Sequence, residues 1–454
     1  MSSLYSKTLR SILPYVHSMT GKKSSRFLKE LERSQWQGPE EIKRLQWKRL
    51  KAMLDHAYQN VPFYHRRFKE SGLKPSDITI PSDMLKLPIL TKGDIRRGLG
   101  GDIRAKNLRE DRFVRNSTGG STGEPLVFFN DKIQMQYRWA STNRNLRWTS
   151  YNIGDKIVKI WSATQDLARS ATLESRLGNF FWRRRVLSAY HMDKKTMEEY
   201  LEILEEYQPH LVVGYSSALV LLSKYMKHEG VEEDVGAVIS TAETLFPHHK
   251  DLIADRFNCE VFNRYGSREF STLAHECEAH SDLHMNAENL FIEIVRDDEH
   301  VVSGELGEII VTDLHNFCMP FIRYSIGDMG VAADGTCSCG RGLPLIEKIE
   351  GRIHSVLVTE SGKFVPGEFF PHLFKDAEGI KKFQVVQEKK RSLLIRMVKG
   401  EAYSQEEMDK MLKIVERYFG ENTEIAVEFV DEIPESESGK YHFTISKVPL
   451  DFRE

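Results

Sequence analysis

No stretch of this chain sustains an apolar run near the roughly 18 to 20 residues that a membrane-spanning helix requires. The first segment, MSSLYSKTLRSILPYVHSMTGKKSS, lacks the uninterrupted apolar core of a secretory leader and reads as an amphipathic helix and a turn. Peripheral membrane contact through it stays open. Cysteine is scarce. Five in 454 residues, an odd number, argue against a disulfide framework and for a reducing, cytoplasmic compartment. A basic excess is absent too: the formal net charge is −2, so nucleic acid is not an expected partner. Repeats and low-complexity tracts are missing. What remains, 40% hydrophobic and 29% charged residues, is ordinary for a soluble globular protein of two or three domains, and leaves a homodimer open.

One further absence is local. Residues 116–130, NSTGGSTGEPLVFFN, have the glycines and hydroxyls of a phosphate cradle: Ser117, Thr118, Gly119, Gly120, Ser121, Thr122 and Gly123. Gly-Glu-Pro-Leu follows where a P-loop places Gly-Lys-Ser or Gly-Lys-Thr, which excludes a conventional P-loop kinase. The ordinary alternative is a flexible surface loop entering a strand.

Between His210 and Glu269 the pattern is strand, helix, strand, helix, strand. The strands lie in HLVVGYSS, VGAVISTAET and CEVFNRYGSRE; the helices are ALVLLSKYMKH, closed by Gly230, and FPHHKDLIADRF. Such spacing predicts a parallel sheet with right-handed crossovers, its polar loops GYSS, TAET and YGSRE side by side on one edge, where open α/β folds bind ligands. Residues 39–72 and 190–208 have helical spacing. After Glu293, the runs FIEIV, GELGEIIVT and MPFIRYSIGD predict short antiparallel strands in a layer or small barrel. The last hundred residues read as helix, strand, strand, helix, strand, a compact α+β domain. The fold class is therefore α/β, with a large domain over 1–351, a small one over 352–454, and the boundary at GRIH, 351–354.

Single residues suit nucleotide chemistry, each against a plainer reading. Tyr265 can stack on a flat ring or fill the core. Glu269 can hold magnesium on a polyphosphate or be a solvated acid. Asp328, expected in a turn after a strand, can accept bonds from vicinal ribose hydroxyls or cap that turn. Lys440, in PESESGKYHFTIS, is a compact charge on a flexible stem, fit for a phosphate or for open solvent. A separate set is metal-like: Cys277 and His284 are spaced C-x6-H, and Cys337 and Cys339 form C-x-C. Three thiolates and one imidazole make a closed, structural zinc site, with His280 able to replace His284 and buried free cysteines the alternative. Cys259 and Cys318 sit in apolar, strand-like surroundings and read as core.

In order, VPFYHRRFKESGL, LPILTKGDI, STGGSTGEP, TAET, YGSREF, RYSIGD, GRIH and PESESGK span nearly the whole chain. This ordered set resembles the adenylate-forming superfamily of acyl- and aryl-CoA synthetases, luciferases and adenylation domains, and within it the phenylacetate–CoA ligase/CapK-like family. The resemblance implies a large N-terminal domain with mixed sheets plus a small barrel-like layer, and a small mobile C-terminal domain. It implies ATP and Mg2+ as cofactors, a small carboxylic acid as substrate, and CoA or another thiol as acceptor. By the same resemblance, residues 117–123 wrap the pyrophosphate end of ATP, and Lys440 contacts the carboxylate and the α-phosphate. Tyr265 stacks on adenine beside Glu243, Glu269 binds magnesium, and Asp328 with Arg352 holds the ribose. His354 stands at the hinge, where relatives carry aspartate or lysine. The CapK-like relatives also resemble this chain in a metal-binding cysteine set.

Two other departures matter. Leu126 follows the loop proline where many relatives carry lysine. After the hinge, TESGKFVPGEFF, which reads as a β-hairpin, replaces the glycine-rich loop that positions the incoming thiol. WSATQDLARS and HLVVGYSS are expected to line the acyl pocket, admitting an aryl or medium aliphatic acid. The alternative function is a catalytically weak relative that acts in capsular or surface-polysaccharide assembly.

Overall fold

Two compact units are present in a computed structural model: Met1–Ile326 with Val331–Lys348, and Gly327–Gly330 with Ile349–Glu454. The structure describes residues 4–118, 126–161, 173–189, 192, 194–352, 357–361, 364–365, 369–374, 377, 379–420, 422–434 and 443–448.

Short runs of β-branched and aromatic residues build the larger unit. A hairpin of β1 (Phe113–Ser117) and β2 (Val127–Asp131) comes first. Then follow β3 (Ile157–Trp161), β4 (Arg184–Ser188), β5 (Leu211–Tyr215), β6 (Ala237–Thr241) and β7 (Val261–Ser267). After them come β8 (Ser271–Glu276), β9 (Leu283–Met285), β10 (Leu290–Arg296), β11 (Glu299–His300), β12 (Leu306–Asp313), β13 (Tyr324–Ala332) and β14 (Leu345–Arg352). Twelve of these strands form one ladder, ordered β11-β10-β12-β13-β14-β9-β8-β7-β6-β5-β3-β4.

The section β7-β6-β5-β3-β4 is parallel throughout. Its central strands β5 and β6 are buried on both faces, as crossover helices demand. Val158, Val212 and Val238 face Leu219, Met226, Ile253 and Phe257 of the helices Ser216–Glu229 and Pro247–Phe257. Leu211, Val213, Ile239 and Phe262 face Leu146 and Tyr151 on the other side. Gly230 ends the first helix at φ +68°, as its position predicts. The antiparallel layer expected beyond Glu293 is present and continues the same ladder. β3 and β4 escaped the sequence pattern, because Lys159, Arg184 and Arg185 interrupt their apolar alternation.

Asp328 corrects an expectation. It lies within β13, not in a turn after a strand. Gly327, at φ +82°, bends the backbone as a turn residue would, but the strand resumes because Met329 and Val331 are buried.

A buried ion pair ties the helices Ser24–Ser34 and Lys132–Arg147 to the Asn286–Asn289 turn. Arg144 donates to Glu288 at 2.7 Å and to Asn286, and Ser34 donates to Glu288 at 2.6 Å. Such a pair adds little net stability, yet losing one partner strands a charge in the core.

Histidines give the core a pH dependence. Burial pushes His275 and His315 down to about 3, so both are neutral in the folded state. Unfolded, each takes a proton near pH 6.5, so the unfolded state binds more protons below that value. Stability is therefore full above pH 6.5 and declines as pH falls toward 3. Urea melts at stepped pH should show the midpoint dropping below neutrality; a flat profile would contradict it.

In the smaller unit, β15 (Leu357–Val358) and β16 (Phe364–Val365) form the expected hairpin. A four-stranded sheet combines β17 (Ile380–Lys389), β18 (Ser392–Lys399), β19 (Glu424–Phe429) and β20 (Thr444–Ser446) in the order β19-β18-β17-β20. The helices Phe369–Phe374 and Gln405–Phe419 supply Phe370, Phe374, Met408, Val415 and Phe419 to its core, against Phe383, Val385 and Ile395. Among the described residues no helix is long and apolar enough to cross a membrane.

Candidate active site

β1 and β2, which precede and follow the glycine-rich segment in sequence, pair as antiparallel strands. Ser117 faces Val127 across the ladder. Thr118 closes it twice: its N–H donates to the Leu126 carbonyl at 3.0 Å, and its Oγ1 accepts from the Leu126 N–H at 2.9 Å. Gly119, Gly120, Ser121, Thr122 and Gly123 lie outside the described residues. Leu126 is buried, so the residue that follows the loop proline is a core side chain. After β2, Asp131 caps the helix Lys132–Arg147 by accepting from Ile133 N–H at 2.8 Å.

That helix reaches the YGSREF turn. The guanidinium of half-buried Arg138 donates to the carbonyls of Arg268 at 2.8 Å and Glu269 at 3.2 Å. Burial lowers its pKa to about 10, opposed by Asp313 and Glu269, and it stays charged. The Glu269 carboxylate accepts from the Tyr324 hydroxyl at 3.1 Å, joining YGSREF to RYSIGD. A nearly buried carboxylate, fixed by a hydroxyl on one oxygen and by its own backbone, is an oxygen ligand of the hard type a divalent cation takes. Sequence reasoning missed Arg138 and passed over Tyr324. Arg138 belongs to a helix whose polar residues show no clear face, and only the tertiary fold brings either residue to Glu269.

The polar loops after β5, β6 and β7 emerge together. Tyr215 is level with Thr241, and Thr241 with Arg264. Glu243, from TAET, accepts from the Ser217 N–H at 2.8 Å, placing its carboxylate at the start of helix Ser216–Glu229, whose capping residue Tyr215 offers no side-chain acceptor. Between them Ala242 holds φ +70°, a conformation costly for a residue with a Cβ and concentrated at functional sites. Tyr265 lies in β7, 9% exposed. Trp161 meets Tyr215 edge to face at 4.8 Å at the neighbouring strand ends. Residues 162–170 of WSATQDLARS lie outside the described residues, as do His354 and Lys440. Arg352 closes β14; its side chain is likewise outside them.

The second set of residues does converge. The ligand atoms of Cys277, His284, Cys337 and Cys339 all lie within 4.8 Å of one another. Sγ of Cys277 is 3.6 Å from Sγ of Cys337, and Sγ of Cys339 is 3.3 Å from Nε2 of His284. A tetrahedral ion with Zn–S of roughly 2.3 Å sets ligand atoms about 3.5 to 3.8 Å apart, so the donor set and its spacing fit zinc. Burial lowers His284 to about 4, leaving the imidazole neutral, the form that binds a metal. His280 is directed elsewhere, 3.3 Å from Glu276 and 3.5 Å from Glu260, so His284 is the histidine that lies in the cluster. Cys259 and Cys318 lie apart from this cluster, their thiols raised by burial, as core cysteines.

The cluster joins the β8–β9 connection to the β13–β14 connection and packs against the N-terminal helices. Arg341 lies over the rings of Trp36 and Trp148, at 4.6 and 4.7 Å, and donates to Glu278 at 2.8 Å. Gly342 must be glycine: a Cβ there would stand 2.0 Å from the Gln37 carbonyl.

Similarity to known proteins follows this geometry. Residues 357–447 match the CapK C-terminal domain family. Protein CapK of Staphylococcus aureus is 26% identical over 436 residues, covering 90% of this chain and 92% of CapK. Phenylacetate-coenzyme A ligase of Pseudomonas putida is 25% identical over 345 residues, 74% of this chain and 76% of that protein. Among solved structures, 2-hydroxyisobutyryl-CoA ligase in its postadenylation state with R3-HIB-AMP aligns at a TM-score of 0.72, with 18% identity and 91% of each chain covered. In sequence the chain is thus similar over most of its length to CapK and to phenylacetate-coenzyme A ligases, and it shares the fold of an adenylate-forming CoA ligase, which supports the resemblance read from its motifs.

Proposed function

We propose that this protein is an AMP-forming acid–thiol ligase, which activates a carboxylic acid with ATP and passes the acyl group to a thiol such as CoA. The observation that carries the reading is the shared edge of β5, β6 and β7, where the strained TAET turn follows β6 and the turn after neighbouring β7 carries a Glu269 held by Arg138 and Tyr324. The likeness to phenylacetate–CoA ligase, and to a fold solved with an acyl-adenylate, supports it.

A carboxylate is a poor electrophile at neutral pH. In the proposed first step, its oxygen attacks the α-phosphorus of ATP, and the bond to the β-phosphate oxygen breaks with release of pyrophosphate. Negative charge builds on the phosphoryl oxygens during this in-line displacement. Residues 117–123 hold the departing pyrophosphate, Tyr265 and Glu243 the adenine, Asp328 and Arg352 the ribose. Lys440 places its ammonium on the carboxylate and α-phosphate, on a C-terminal unit, residues 352–454, that moves about His354. Magnesium at Glu269, when bound, supplies positive charge to the polyphosphate. In the second step a thiol sulfur attacks the acyl carbon, the mixed anhydride opens, and AMP leaves. Zinc on Cys277, His284, Cys337 and Cys339 is structural, holding the segments after YGSRE and RYSIGD in register.

One observation favours a second reading. The match to CapK covers 92% of that protein, against 76% of the P. putida ligase, and the C-terminal segment is CapK-like. A catalytically weak relative in surface-polysaccharide assembly would share that pattern. Pyrophosphate exchange into ATP, across a panel of aryl and aliphatic acids, separates the two. The ligase reading predicts exchange that depends on at least one acid; silence across the panel selects the assembly role.

A further inference from the structure

The N-terminal helix, Leu4–Met19, is amphipathic twice over. Leu9 and Leu13 face inward and pack with Phe27 and Leu31 of the next helix, and buried His17 meets Ser25 and the Trp139 ring. A second apolar stripe, Ile12, Tyr15, Val16 and Met19, recurs at i, i+3, i+4 and i+7 on the solvent side, with Leu4 and Tyr5 extending it. Tyr15 is 73% exposed and Met19 88%. The helix Leu173–Phe181 enlarges the same surface: the Tyr5 hydroxyl donates to the Phe181 carbonyl at 2.7 Å, and Leu177, Phe180 and Phe181 are exposed. Nine of the 17 large apolar side chains exposed among the described residues therefore lie on two helices of 16 and nine residues. Scattered exposure is normal; this concentration marks a binding surface.

Charge identifies what binds. The first 29 residues contain six Lys or Arg and no Asp or Glu, in a chain whose net charge is −2. Beside the stripe, Lys22, Lys23, Arg26, Lys29 and Arg33 line a groove of ≈ 870 Å³ with His17. Two acids also line the groove, Glu30, which pairs with Arg49, and Glu41, which accepts from the Gly38 N–H at 3.2 Å; Glu32 of the adjoining helix pairs with Arg147, and the basic side chains of the rim outnumber the acids five to two. Two copies meeting on such a face would bring like charges together, which disfavours a dimer there. An apolar stripe with Tyr and Phe, bordered by basic side chains, has the chemistry of an interfacial helix on an anionic bilayer. The aromatic rings and Ile12, Val16 and Met19 enter the headgroup boundary, while the lysines and arginines reach lipid phosphates.

We propose that the Leu4–Met19 and Leu173–Phe181 surface seats the protein on an anionic lipid membrane, without a spanning segment. The inference does not depend on the ligase reading. It is tested with the purified full chain by flotation with vesicles of phosphatidylcholine alone or with phosphatidylglycerol added. Binding is expected only to the anionic vesicles, and high salt should release it. A triple variant, Ile12→Ser/Tyr15→Ser/Met19→Ser, changes exposed positions only, and should lose about tenfold in partitioning with an unchanged melting temperature. Lys22→Glu/Lys23→Glu/Arg26→Glu should lose about as much. Failure to float with anionic vesicles overturns the proposal. So does undiminished binding by the serine variant, which would leave only non-specific charge attraction. A serine variant whose sole change is a smaller oligomeric mass would assign the face to a second copy, and capture by an acidic polypeptide without vesicle binding would assign it to a protein; either overturns the lipid assignment.

Discussion

Replacing Lys440 with alanine is expected to slow acid-dependent pyrophosphate exchange by about a hundredfold, an effect of about 3 kcal/mol, typical of removing one well-placed charge from a phosphoryl-transfer transition state. ATP affinity should change little, because the ammonium acts where charge develops rather than on the ground-state nucleotide. Residues 116–126 contain no lysine or arginine and Leu126 is committed to the core, so in the proposed mechanism the cation comes from elsewhere in the chain. Lys440→Arg should restore only part of the rate, since a planar fork does not occupy the space of a compact ammonium. Exchange kinetics with equilibrium ATP binding make the test. A variant with wild-type exchange would remove Lys440 from the mechanism; equal losses in binding and rate would make it a binding residue.

The second large effect belongs to the cysteine cluster. Purified protein should contain about one equivalent of zinc, and Cys277→Ser should contain none. Without the ion, two thiols and an imidazole are left packed against one another among apolar neighbours, with Trp148 edge-on to His284 at 5.5 Å. Loss of a structural metal is among the few single changes that cost more than about 4 kcal/mol, so the variant should melt well below the parent or fail to accumulate. Cys318→Ala is the control: equally buried and outside the cluster, it should keep the metal. Metal analysis and thermal melts decide. A metal-free protein that melts as the chelator-treated one does would reduce the cluster to buried thiols.

Local pattern revealed those parts of the molecule that local chemistry determines. β5 and β6 are apolar runs ending in glycine, serine and threonine, and strands buried on both faces need little else. The cysteine–histidine cluster was legible because its members stand at the short spacings C-x6-H and C-x-C, although only the fold shows that His284 and not His280 joins it. The smaller unit was legible from alternation along β17 and β18.

Convergent interactions were not. Arg138 earns its place only when the helix Lys132–Arg147 lies beside the YGSREF turn, and Arg144 only when Glu288 is brought beneath it. β4 begins with two arginines and has no apolar signature, so its strand identity comes from pairing with β3. Asp328 was misplaced because glycine at φ +82° signals a turn locally, whereas burial of Met329 and Val331 carries the strand past it.

Carrying out the reaction with an acid whose carboxylate oxygens are isotopically labelled, and weighing the nucleotide product, tests the central claim most directly. Attack on the α-phosphorus predicts one labelled oxygen in AMP after transfer to the thiol. Unlabelled AMP, or label recovered in inorganic phosphate beside ADP, would contradict it.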